Sequence, residues 1–263
     1  MASGIEIPHK DQAIYKLKHV PHGSIRVTPY FSKGLNVWRE LSVYTPPNYN
    51  DTTENYPVLY LLHGGGENQR GWGHQGKANL ILDNLIAADE AKPMLVVMLD
   101  GNVGSANGIL EFDENSLKTF EGELLKEVIP FVEENYKAKT DASSRGLAGL
   151  SMGGLQTLYV GIQNTNMFKY LGVFSSGWFA NKPELSNPQY DFMKDYKSMI
   201  NNNLNTFWIS MGGKEDIAFQ NCKIMLEKFD DIGINYQYSE YHGGHAWPVW
   251  RHDLYEFSKL LFR

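Results

Sequence analysis

Gly149-Leu150-Ser151-Met152-Gly153 places a serine between two glycines, directly after an apolar run and before a helical pattern. This is the G-x-S-x-G form of a tight strand-to-helix turn, which lifts a serine hydroxyl above a sheet edge. A serine hydroxyl attacks carbonyl carbon only when a base removes its proton and an acid orients that base. Downstream, Gly212-Gly213-Lys214-Glu215-Asp216 offers two carboxylates and His242-Gly243-Gly244-His245 two imidazoles. Upstream, His63-Gly64-Gly65-Gly66 is a glycine loop able to present backbone N–H groups. The chemistry these types could do together is acyl transfer through a covalent intermediate.

Of the eight histidines, His245 is the expected base. Gly243 and Gly244 before it let the loop fold back over Ser151, and His242 remains as its neighbour. Asp216 is the expected orienting acid, shorter than Glu215 and better suited to a tight role. Its plain alternative is to cap the helix that begins near Ile217. The oxyanion donors are expected to be the backbone N–H groups of Met152, just after the nucleophile, and Gly65. No G-x-G-x-x-G opens a helix, no G-x-x-x-x-G-K-S/T occurs, and no H-E-x-x-H is present. Neither a cofactor nor a metal site is therefore expected, and one cysteine, Cys222, excludes a multi-cysteine cluster. Cys222 itself reads as a half-buried structural thiol.

The elements that must hold these groups follow from periodicity. Ser24–Thr28 and Arg39–Tyr44 alternate and predict an antiparallel pair. Val58–Leu62, Met94–Leu99, Arg145–Leu150, Leu171–Phe174 and Thr206–Met211 are apolar runs of the kind found in central parallel strands. Ile234–Ser239 alternates as a further strand. Helical patterns lie at 79–88, 119–134, 222–229 and 250–261, with Pro130 expected to bend or divide the second. Residues 1–20 predict a surface arm, and 181–205, weakly helical around 190–200, an insertion above the active site. Strands alternating with helices predict one α/β domain over 1–263: an α/β-hydrolase fold, with a mostly parallel central sheet, helices on both faces and an antiparallel N-terminal edge. The order serine, acid, histidine is that of the α/β-hydrolases.

A net charge of −6 argues against nucleic acid or an anionic membrane surface as partner, since both require a basic footprint. No apolar run reaches the length of a spanning helix, and the first 30 residues are too polar for a signal sequence.

His63-Gly64-Gly65-Gly66-Glu67-Asn68, Trp72, Ala78-Asn79 and Asp83-Asn84-Leu85-Ile86, with the serine, acid and histidine loops, resemble the feruloyl esterase and acetylxylan esterase group of carbohydrate esterases. These are esterase D-like members of the α/β-hydrolase superfamily. The resemblance runs from about Arg39 to the C-terminus; it departs at Lys214-Glu215, where a Thr-Asn pair is common. It implies Ser151, Asp216 and His245 as the triad, and Gly65 with Met152 as the oxyanion hole. It further implies extracellular ester cleavage on feruloylated arabinoxylan or oligosaccharide esters, in association with other plant cell-wall-degrading enzymes. Trp178, Phe179 and Trp247 are the rings expected to bind a ferulate group. Acetylxylan or another small-acyl ester or thioester is the alternative substrate. A non-catalytic carbohydrate-binding protein on a hydrolase scaffold is the alternative of a different class.

Overall fold

A strand apolar at every position is buried on both faces, so a sheet built of such strands needs two covering layers. Val58–Leu62 (β3), Leu95–Leu99 (β4), Arg145–Leu150 (β5), Tyr170–Phe174 (β6) and Thr206–Met211 (β7) are fully buried strands in the computed structural model. It describes residues 13–103, 114–177 and 183–263, the side chains of 183–192 aside. With Ser24–Ser32 (β1), Val37–Thr45 (β2) and Gln237–Glu240 (β8) they form one eight-stranded sheet, ordered β1-β2-β4-β3-β5-β6-β7-β8. The β1–β2 and β2–β4 pairs are antiparallel and every other pair is parallel. This is the expected α/β-hydrolase fold, antiparallel at its N-terminal edge.

Because strand side chains alternate, Tyr60 and Leu62 enter one core while Leu59 and Leu61 enter the other. The second face is covered by Gly71–His74 (α1), Ala78–Ala87 (α2) and, from the far end of the chain, Trp247–Ser258. The first face is covered by Glu114–Gly122 (α3), Ile129–Asn135 (α4), Met152–Gln163 (α5), Pro183–Asn203 (α6) and Phe219–Ile232 (α7). The C-terminal helix Trp247–Ser258 is α8.

The expected division of the second helix is present, and two other elements differ from the sequence-based expectation. The helix expected over 119–134 is divided at Glu123–Val128, a π turn in which the Ile129 N–H reaches back to the Leu124 carbonyl. Pro130 follows directly and has no N–H for the regular ladder, so the wider turn takes up the mismatch. The segment expected as an insertion over the site forms α6 between β6 and β7. Its Met193 and Ile200 are buried in the core of the first face, as a crossover between parallel strands requires. The last strand starts only at Gln237. Gly233, at φ +77°, ends α7, the Ile234 N–H closes on the Phe229 carbonyl, and the Asn235 N–H goes to Asn201 Oδ1 at 2.8 Å instead of a strand partner. Of the surface arm, residues 1–12 lie outside the described residues. The Ile14 and Lys16 carbonyls accept from the Asn84 amide of α2.

The chain leaves β3 for β4 on one side and returns to β5 on the other. The loops after β3 and β5 therefore diverge at neighbouring strand ends, the switch point where α/β sheets bind ligands.

Candidate active site

Strand β5 runs into α5 with Ser151 as the only residue between them. A β-carbon on Gly149 would lie 2.5 Å from the Gly153 carbonyl carbon, and one on Gly153 would lie 2.6 Å from Leu62 Cβ. Only glycine permits so close a turn. Ser151 itself sits at φ 52° and ψ −113°, a conformation that costs an L-residue about 1–3 kcal/mol. The turn is held by the Ser151 N–H on the Phe174 carbonyl at 2.9 Å and the Gly153 N–H on the His63 carbonyl at 3.1 Å.

Asp216 follows β7 and His245 follows β8. The Gly213 N–H donates to the Gly243 carbonyl at 2.7 Å, which ties the two loops together. His245 Nδ1–H donates to Asp216 Oδ1 at 2.8 Å, and the Ser151 hydroxyl donates to His245 Nε2 at 2.9 Å. A carboxylate only accepts, so the neutral ring carries its proton on Nδ1 and turns Nε2 toward the serine. Asp216 Oδ1 also accepts from the Ala218 N–H at 2.9 Å, so turn-capping and histidine-orienting coexist in one residue. Burial pushes its carboxyl up. The hydrogen bonds from His245 and the Ala218 N–H outweigh this and hold it below the usual range. Trp250 presents its ring edge-on to His245 at 5.1 Å. His242 is exposed, with its ring against Tyr241 at 4.1 Å.

The glycine loop lies beside the serine: a β-carbon on Gly64 would meet Leu150 Cδ1 at 2.5 Å and Ser151 Cβ at 3.5 Å. Gly65 is exposed next to it. Among the described residues no hydrogen bond takes up the backbone N–H of Gly65 or Met152. His63 shapes the loop from beneath. Its Nδ1 donates to the Gly64 carbonyl at 2.7 Å, and its Nε2 lies 2.9 Å from the Gly101 N–H and 3.1 Å from Asp100 Oδ1. Glu67, at the loop's far side, accepts from the Gly64 N–H and from Gln75 Nε2, both at 3.4 Å. Burial pushes the Glu67 carboxyl up, against the Gly64 N–H and the nearby His63 ring.

Trp247 is half-buried, its ring edge-to-face with Trp72 and with Trp250, both at 5.2 Å. Most of that ring is packing. Trp178 and Phe179 lie outside the described residues. Sequence reading missed Asp253, a buried carboxyl on α8 whose neighbours include Ser210 and Asp216. The signal was present: Trp250, Asp253, Leu254 and Phe257 share one helical stripe, and an acid within an apolar stripe is buried.

The arrangement can deprotonate a serine and hold the resulting imidazolium. Comparison with known proteins agrees. The profile of the Esterase family matches residues 32–261. An endo-1,4-beta-xylanase/feruloyl esterase of Xylanibacter ruminicola is 40% identical over 268 residues, an alignment covering 99% of this chain and 34% of that protein. The chain thus spans about a third of that relative's length. A solved ferulic acid esterase superposes with a TM-score of 0.80 at 26% identity, covering 92% of this chain and 100% of the other. The feruloyl esterase module from Clostridium thermocellum complexed with sinapinate gives 0.78 at 26% identity, covering 98% and 93%. The chain belongs to the Esterase family and is a serine-hydrolase-type esterase related to the ferulic acid esterases.

Proposed function

We propose that the chain releases ferulate and related hydroxycinnamates from esters on arabinoxylan or its oligosaccharides, through an acyl-enzyme. The relay Asp216–His245–Ser151, at 2.8 and 2.9 Å, carries the reading. His245 Nε2 takes the hydroxyl proton as Ser151 Oγ bonds to the ester carbonyl carbon. The carbonyl oxygen becomes an oxyanion facing the N–H groups of Met152 and Gly65. The intermediate then collapses: the ester C–O bond breaks, His245 returns the proton to the sugar oxygen, and the acyl group stays on Ser151. Water, deprotonated by the same nitrogen, repeats the addition and frees the acid.

The substrate class is supported by the relatives' names, which join feruloyl esterase to a xylanase in Xylanibacter ruminicola and to bound sinapinate in Clostridium thermocellum. We place the work outside the cell, alongside xylan-cleaving enzymes. A substrate panel tests the reading. Methyl ferulate and feruloylated xylo-oligosaccharide should be hydrolysed with kcat/KM at least about tenfold above the per-acetyl rate on acetylated xylan. Acetate release with methyl ferulate untouched would replace ferulate by acetyl. A folded sample in which Ser151 resists a fluorophosphonate would turn the reading toward a binding protein.

A further inference from the structure

Among the described residues most apolar surface of the sheet is covered, but a strip on the β1–β2 hairpin is open. On the β1–β2 hairpin Trp38 is 70% exposed, Val27 48% and Phe31 41%. Phe31 and Trp38 are register partners, their rings edge-to-face at 5.6 Å. Pairing of Val27 with Ser42, Pro29 with Glu40 and Phe31 with Trp38 puts Val27, Pro29, Phe31, Trp38 and Glu40 on one face. Further along that face Tyr44 lies in the core and Ile25 packs against it. The strip is the uncovered continuation of a buried surface.

Its position ties it to the active site. The first β2–β4 pair is Leu41 with Leu99, so residues 37–40 overhang the C-terminal end of β4, the sheet edge above which Ser151 stands. The Arg39 guanidinium grips the Asp100 and Asn102 carbonyls. Glu40 accepts from Gln69 Nε2 at 3.1 Å and Arg70 Nη2 at 3.0 Å, side chains that follow the glycine loop. Strand β2 stands three strands from β5, about 14 Å at the usual spacing, the reach of a short oligosaccharide.

We propose that this face is a glycan subsite, on which Trp38 and Phe31 stack sugar rings of the polysaccharide whose ester is held at Ser151. The inference rests on the ester substrate proposed above and extends it to the chain that carries the acyl group. An exposed indole beside fixed hydrogen-bonding groups suits a sugar, which offers an apolar ring face and hydroxyl edges. An uncharged xylan also meets no opposition from a net charge of −6. A second protein copy fits less well, because the three exposed apolar side chains on this face offer on the order of 300 Å², against about 800 Å² per partner in a stable interface.

Trp38→Ala and Phe31→Ala, with kinetics on two substrates, test this. Methyl ferulate should be cleaved within about twofold of wild type, while feruloylated xylo-oligosaccharide loses about tenfold in kcat/KM, carried by KM. In affinity electrophoresis, Ser151→Ala protein should be retarded by unesterified xylan, and Trp38→Ala should abolish the retardation. Equal losses on both substrates, no loss on either, or no retardation would overturn the subsite. So would sedimentation showing a wild-type dimer that Trp38→Ala dissolves. Failure of the ferulate reading itself is distinct, because wild type would then leave methyl ferulate intact.

Discussion

Asp253 and Asp216 lie close enough to sense each other's charge, yet their carboxyls are driven in opposite directions. Asp216 has the His245 ring and the Ala218 N–H to hold its negative charge. Asp253 is entirely buried on α8 with Ser210 as its polar neighbour. Burial pushes it well above the usual carboxylate range, and the Asp216 charge adds to the push. Two carboxyls behind the triad thus lose their protons in very different ranges, Asp216 low and Asp253 high.

A stability profile follows. Asp253 keeps its proton in the folded state at pH values where the unfolded chain has lost it. Above about pH 4 this one group then lowers stability by about 1.4 kcal/mol per pH unit, up to its folded pKa. Asp216 works the other way: its stabilisation is present above the unfolded pKa and is lost as acid protonates it in the fold. Asp253→Asn should gain on wild type as pH rises above about 4, its melting temperature pulling ahead by about 2–4 °C per kcal/mol until the folded-state carboxyl ionises. A difference that stays flat across that range would show Asp253 ionised in the fold.

Asp216 serves both His245 and the Ala218 N–H, and two substitutions separate those duties. Asp216→Asn retains a carbonyl oxygen for the Ala218 N–H but does not hold the imidazolium. It should keep stability within about 1 kcal/mol while kcat falls by about 100- to 10,000-fold. Asp216→Ala should lose both. Melting curves and ester turnover on the same preparations check this, and near-normal turnover in the Asn variant would remove Asp216 from the triad.

The backbone strain at Ser151 predicts a trade between activity and stability. Glycine adopts φ 52° without penalty, so Ser151→Gly should relieve strain that exceeds glycine's added unfolded-state entropy. Turnover should fall at least about 1,000-fold while stability rises by about 1 kcal/mol, seen as a gain of 2–4 °C in melting temperature. Ser151→Ala, equally inactive, should show no such gain. If the two variants melt together, the turn is not strained.

How much of this was legible beforehand follows from the range of the forces involved. Strands β3, β5 and β7 were readable to the residue because unbroken apolar runs between turns leave one solution. Ser151, Asp216 and His245 could be assembled because each is fastened to a strand end by local glycine chemistry, and parallel strands bring their ends to one edge. The wide turn before Pro130 and the late start of β8 depend on which carbonyl a particular N–H finds, and periodicity carries no such information. Asp253 and the Phe31–Trp38 strip were missed for a related reason. One is an acid hidden in an apolar stripe and the other an aromatic pair left in the open, and only packing reveals which way each faces.

Two glycines near the site should differ sharply on substitution. A β-carbon on Gly149 meets the Gly153 backbone at 2.5 Å and Leu62 Cβ at 2.8 Å, neither of which can give way cheaply. Gly66, at φ +77°, has nothing within 4 Å. Gly149→Ala should destabilise by about 3 kcal/mol or more, or fail to fold. Gly66→Ala should cost about 1 kcal/mol, from conformation alone. Urea unfolding of both gives the comparison, and similar midpoints would contradict the tight turn.

Cys222 closes the set. It was expected to be half-buried, but its side chain is fully buried on α7, where a β-carbon on Gly177 would lie 2.7 Å from its backbone nitrogen. Burial pushes its thiol up to about 12, so at neutral pH almost none is the nucleophilic thiolate. Native protein should therefore resist Ellman's reagent and iodoacetamide with turnover unchanged, while urea-unfolded protein should take up one equivalent. Mass spectrometry over a time course should show labelling that follows unfolding. Stoichiometric modification of the native enzyme within minutes would mean that this part of α7 opens far more readily than its packing implies.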